Sequence, residues 1–295
     1  MAIFLNRFTD KLRSPVTLQT INDDEESRRQ AHFERLYNYL VNDEEALKHY
    51  TTEAMRYVFK GSTINRMPLP YLNIFRRIVH RLSVVYALPA ERYLLTEKEG
   101  GSTTDNEANE RYQELLNQSN INAASKQWNR YAKGLDTCYV HPVWRNGRVE
   151  YDVFAPHEIT VEVADNDYLK PARVEYKRAV GNGYEKVIWS DTEHRVIDDK
   201  GRMVDGQNPW NGVNRYGVLP FVPVRLRITE NHWGEGDTQL ADINEKINVL
   251  LASAYYNGLF QTHSQLVTVN FGLKDGEELR LGPDSVLNVE DARSG

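Results

Sequence analysis

The chain has 295 residues, 40% of them hydrophobic and 26% charged, with 36 Lys and Arg against 42 Asp and Glu for a net charge of −6. That length allows one large or two ordinary domains with a sizeable core, and no apolar run reaches the ~18 residues of a membrane span. The acidic balance argues against a conventional nucleic-acid binder, whose affinity comes from neutralising phosphates with a basic surplus, but leaves room for a protein that DNA slides past.

The start, Met1-Ala-Ile-Phe-Leu-Asn-Arg-Phe8, is apolar but soon interrupted by Thr9, Asp10 and Lys11, unlike a signal peptide, which puts charge before an unbroken apolar core. Residues 25–40 then read as a helix with Phe33, Leu36, Tyr37 and Leu40 on one face. A short helix capped near Asn42 or Asp43 follows, then a loop over 61–68. Pro70 suits the first turn of a helix continuing from Tyr71 to Tyr86. This helix puts Leu72, Phe75, Ile78, Val79, Leu82 and Val85 on one side and Arg76, Arg77, His80 and Arg81 on the other, until Pro89 ends it. Arg76, Arg77 and Arg81 could contact phosphate or lie on a membrane surface; a solvated face paired with nearby acids is the simpler reading.

Thr96–Asp105 is polar and glycine-containing and reads as a mobile surface loop. A helical pair is expected over 106–133, with Trp128, Tyr131 and Ala132 towards the core and Gly134 as its stop. The pattern then switches to period two. Thr137–Trp144 and Val149–Phe154 flank Asn146-Gly147, a tight-hairpin signal. Further strands are expected at Ile159–Val163, Ala172–Arg178, Tyr184–Trp189 and His194–Ile197, and Val218–Ile228 is a strongly apolar β-type run. Helices followed by antiparallel strands give an α+β fold. Cys138, the one cysteine, falls in a strand and reads as a buried, inert thiol.

Between Gly234 and Gln265 lies one long amphipathic helix. Gly234-Glu235-Gly236 breaks the preceding structure and Asp237 is placed to cap the first turn. Leu240, Ile243, Ile247, Leu251, Ala254 and Gly258 recur at steps of three and four, a continuous stripe on one side. About 28 residues make a rod of roughly 40 Å. Asp242, Glu245, Asn248 and Ser253 lie off the stripe, which suits a position between a neighbouring subunit and solvent. Leu266–Phe271 and Leu281–Val289 read as strands.

Catalytic patterns are sparse. His157-Glu158 opens like a zinc-protease motif, but the second ligand position is Val161. Gly181-Asn-Gly183 lacks a third glycine and leads into a strand, and neither a phosphate-binding loop nor a nucleophile elbow is present. Acids cluster at 23–26, at Asp165 and Asp167, and at Asp198-Asp199, where helix starts and turns account for them. No catalytic residue, metal or cofactor is expected. The competing class is a metal-dependent nuclease using Asp165 or Asp198.

The order of these parts resembles the N-terminal portion of a tailed-bacteriophage portal protein. Asn73–Pro89 is similar to the family's early helix, although Ala87-Leu-Pro89 lacks the usual glycine. Trp128–Gly134 with Cys138–Gly147 resembles the helix, glycine and hairpin that follow, and Val153–Ile159 the strand-proline segment after them. Val218–Pro223 followed by Gly236–Asn248 is the closest match. The resemblance covers roughly residues 30–295 and rests on order and spacing, since each motif alone is weak.

It implies a non-enzymatic virion component: a twelve-subunit ring at one capsid vertex, with a central channel for DNA packaging and ejection. Its partners would be further copies of itself, the terminase large subunit, a head-tail adaptor, the major capsid protein and double-stranded DNA passing without sequence specificity, with no membrane involved. Residues 1–236 would form an α+β wing, 237–265 a stem helix and 266–295 the start of a β clip. A second stem helix and crown would follow in the family, and the sequence stops before them. On this mapping Leu240, Ile243, Ile247 and Leu251 pack against neighbouring stem elements, and Asp242, Glu245 and Asn248 belong to a wetter face towards the channel. A small head-tail adaptor is the remaining structural alternative, and 295 residues exceed what it needs.

Overall fold

The structure is a computed structural model describing residues 23–56, 64, 69, 71–98, 101–104, 106–181, 183–204, 206, 212–262, 266–269 and 286–289. The expectations for the N-terminal start, for Pro70 and for most of the 61–68 loop lie outside them. In chain order the elements are α1 (Asp23–Val41), α2 (Glu44–Arg56), α3 (Ile74–Leu82), β1 (Leu95–Lys98), β2 (Gly101–Thr104), α4 (Asn106–Gln118), α5 (Ile121–Leu135), β3 (Thr137–Arg145), β4 (Arg148–Phe154), β5 (Ile159–Ala164), β6 (Asp167–Val180), β7 (Gly183–Ser190), β8 (His194–Ile197), β9 (Val222–Arg225), α6 (Thr238–Thr262), β10 (Leu266–Val269) and β11 (Val286–Val289). Helices and antiparallel sheets share the chain, an α+β fold. It divides into two compact units, residues 1–41 with 75–238 and residues 42–74 with 239–295. Segment 42–74 therefore groups with the long helix.

In the first unit, β3 is the centre of a three-stranded sheet, β4-β3-β9, and β5 to β8 form an antiparallel meander. Arg145 pairs with Arg148 across Asn146 and Gly147, both at positive φ as the tight turn requires. One apolar core runs through both sheets, formed by Tyr139, Ile159, Val161, Val174, Val187, Trp189, Val196 and Phe221. Of the Val218–Ile228 run only Val222–Arg225 is strand, pairing with Thr137–Val140; Phe221 turns into the core, while Val218 and Ile228 stay exposed. Residues 95–98 and 101–104 form an antiparallel pair where a mobile loop was expected. Threonine, present in both strands, has a high β propensity.

On α1, Phe33, Leu36 and Leu40 are buried as expected, joined by Tyr39, while Tyr37 is half-buried and edge-on to Tyr131. α5 runs one residue past Gly134, to Leu135, and Gly134 packs beside Phe75 and Leu40. The left-handed residue ending α5 is Asp136 (φ 61°), whose buried carboxylate accepts two-pronged hydrogen bonds from Arg227 and one from the Gly236 N–H. The turn before α6 is fastened there, since the Asp237 N–H also donates to the Gly134 carbonyl. Gly236 itself is at φ 67°, and a Cβ on it would lie 2.5 Å from Leu36 Cδ1.

The second unit packs α2 against α6, with Met55, Ile64 and Ala252 buried and Leu69, Val249 and Tyr256 against them. Asp43 caps α2 by accepting from the Ala46 N–H at 3.0 Å. β10 and β11 pair in parallel, Leu266 opposite Val286.

Candidate assembly surfaces

α6 spans 25 residues. Which side it buries within its own unit decides what the other side is for. Its buried residues are Ala241, Asn244, Asn248 and Ala252, spaced by three, four and four. The alanines allow close approach, and the asparagines grip the extended backbone beside them. Asn244 accepts from the Ile74 N–H at 2.6 Å and donates to the Leu72 carbonyl at 2.9 Å; Asn248 accepts from the Leu72 N–H at 2.8 Å. These N–H groups lead into α3, where no intrahelical partner exists for them. Asn248 is therefore corrected: it belongs to the buried face, not to a wet one. Asp242 and Glu245 are half-buried.

The large apolar residues lie elsewhere. Ile243 is 53% exposed, Leu250 68%, Leu251 40% and Tyr255 54%. Leu240 and Ile247 are half-buried, and Ala254 is exposed. Of the stripe Leu240, Ile243, Ile247 and Leu251, Ile243 and Leu251 are thus exposed and the other two partly covered, while the fully buried face is that of Ala241, Asn244, Asn248 and Ala252. Leu250 and Tyr255, which extend this surface, were not singled out from the sequence; Leu250 follows directly in the Val249-Leu250-Leu251 run.

Beside that face, α2 and α6 bound an open groove of about 560 Å³. Ala54, Val249 and Leu250 supply its apolar lining, and Glu53, Asp242 and Glu245 make an acidic rim with Lys246 as a basic member. Arg56 offsets Glu53 in an exposed pair.

The first unit has a surface of opposite character. α3 is shorter than expected, ending at Leu82. Phe75 and Val79 are buried, but Leu82, Val85 and Leu88, placed on or just beyond its apolar side, are 57%, 69% and 80% exposed, and Val84 and Ile78 are exposed with them. Arg77 and Arg81 are exposed and Arg76 half-buried. Burial chiefly, with the positive charges of Arg130 and Arg76, lowers the His80 pKa. No acid occurs between Ile74 and Ala90.

The acidic clusters serve local structure. Glu26 is pushed up by burial, but hydrogen bonds and the charge of Arg29 outweigh this and hold it below its usual range. Arg29 also donates to the Pro156 and Ile159 carbonyls and lies 4.4 Å from the Trp233 ring centroid. Asp167 accepts from the Leu169 N–H, and Asp198 from the Lys200 and Arg202 N–H groups, which lower its pKa together with the Arg202 side chain. Asp165 follows β5 and Asp198 follows β8, at opposite edges and opposite ends of the meander, so they do not converge. Among the described residues no three His, Cys, Asp or Glu side chains are grouped to hold a metal ion. Cys138 is buried, and its thiol pKa is raised by that burial.

Three histidines of the first unit sit where protonation is disfavoured. Burial lowers His141, His157 and His232 each to about 4. His141 stacks on Phe221 at 4.2 Å and lies edge-on to Trp189. His232 Nδ1–H donates to the Tyr168 carbonyl at 2.6 Å, leaving Nε2 to accept from the Tyr139 hydroxyl at 2.6 Å, a network suited to the neutral ring.

No protein-family model matches the chain, and no curated protein matches it.

Proposed function

We propose that the chain is a subunit of a phage portal ring, the capsid-vertex channel through which DNA is packaged and ejected and on which the packaging motor and tail adaptors dock. The observation that carries this reading is the division of labour on α6. Ala241, Asn244, Asn248 and Ala252 hold its own unit, while Ile243, Leu250, Leu251 and Tyr255 are exposed. Burying a side chain the size of Ile or Leu stabilises by about 1.5–3 kcal/mol, so an exposed row of them favours a further copy as its cover. The order of helix, hairpin, strand-proline segment and long helix supports the assignment to portals in particular.

The composition suits a conduit. Every tight lysine or arginine contact to a phosphate resists translocation, and the net charge of −6 avoids a broad basic grip on the polymer. In this reading α6 is the first stem helix, the first unit the wing, and residues 266–295 the beginning of the clip. Ile247→Asp tests the assignment, because an assembled ring would bury that carboxylate without a partner. Light scattering after size-exclusion chromatography is expected to show oligomers for the unaltered chain and monomers for the variant. Normal assembly by the variant refutes the packing role.

A further inference from the structure

The two surfaces described above differ, and that difference has a consequence for how copies join. The groove of the second unit combines apolar Ala54, Val249 and Leu250 with acidic Asp242 and Glu245. The first unit presents exposed Leu82, Val85 and Leu88 alongside exposed Arg77 and Arg81. Each surface combines apolar residues with charge, basic in segment 76–88 and mainly acidic, with Lys246, in the groove, and opposite charges steer association. An interface made from two different patches of one chain is heterologous and, where its rotation closes, repeats into a ring, whereas a patch that meets itself stops at a dimer.

We propose that copies of the chain join head to tail, with the basic, apolar segment 76–88 of one copy seated in the acid-rimmed groove between α2 and α6 of the next. This rests on the ring reading for self-association and adds which surface meets which. Hydrophobic contact of Leu82 and Val85 with Val249 and Leu250 supplies the attraction, and Arg77 and Arg81 against Asp242 and Glu245 set the register.

Cysteine cross-linking tests it on the full chain, because Cys138 is buried and leaves introduced thiols as the reactive ones. Leu82 and Leu250 are exposed, so Leu82→Cys and Leu250→Cys leave the fold intact. The double variant, treated with a short bis-maleimide, is expected to give a ladder of dimers, trimers and higher species in denaturing gels. Mixed single variants are expected to stop at a heterodimer, with neither linking to itself. Self-linking of either single variant overturns the proposal, as does a link confined within one chain. Rings visible in the microscope but no ladder would leave the portal reading standing while overturning this docking. Absence of any oligomer would remove both.

Discussion

Asn244 and Asn248 show most clearly how a residue type can mislead when sequence is read for polarity alone. An amide in a helix is ordinarily assigned to the wet side, and Asn248 was. Here both asparagines are fully buried because each meets backbone groups that need a partner. Asn244→Ala strands the Ile74 N–H and the Leu72 carbonyl, and we expect a loss of about 1–3 kcal/mol in chemical denaturation; a change below about 0.5 kcal/mol contradicts the role. His141 gives a second prediction. Its folded pKa of about 4 lies below the unfolded 6.5. Above pH 6.5 both states are neutral and its full contribution is present. As the pH falls below 6.5 the unfolded state takes up a proton that the folded state refuses, so stability drops towards pH 4, by up to about 3 kcal/mol for this residue. His141→Phe should flatten part of that slope in denaturation curves between pH 7 and pH 4; an unchanged slope contradicts the assignment. Neither His141 nor His232 could be picked out beforehand, because their environments come from strands and turns far apart in sequence.

At the scale of elements, period and turn chemistry were informative wherever the local rule agreed with the fold. Asn146-Gly147 closes the expected hairpin, and the meander strands fall where alternation put them, with β6 longer at both ends. Polar, glycine-containing Thr96–Asp105 reads as a loop, yet residues 95–98 and 101–104 pair as antiparallel strands, for which backbone hydrogen bonding suffices. α3 was read too long for the converse reason: its apolar spacing continues past Leu82, but only Phe75 and Val79 find a core. The periodicity of α6 shows the stripe and assigns it to a neighbouring subunit, but it does not show that Ala241, Asn244, Asn248 and Ala252 form the face packed into the helix's own unit. That difference leads to a prediction that separates core from interface. Ile243→Asp, on the exposed face, should leave the melting temperature of the isolated subunit within a degree or two, since surface changes rarely exceed about 0.5 kcal/mol, while abolishing oligomers in light scattering. A large loss of melting temperature would mean that Ile243 serves its own unit.

For the whole molecule, the proposed reading is one of assembly. Asp167 and Asp198 are engaged in turns, and exposed apolar residues occur on α6, over Leu82–Leu88 and over Val213–Ile228. A duplex-cleavage assay with and without Mg²⁺ should show no activity that depends on Asp165 or Asp198, and cleavage lost on mutating either one contradicts the portal reading. The most direct measurement is negative-stain imaging of the purified chain. Axial views should show rings with a central hole and a fixed number of subunits; particles that stay monomeric at micromolar concentration, with the α6 stripe still open to water, would contradict the account.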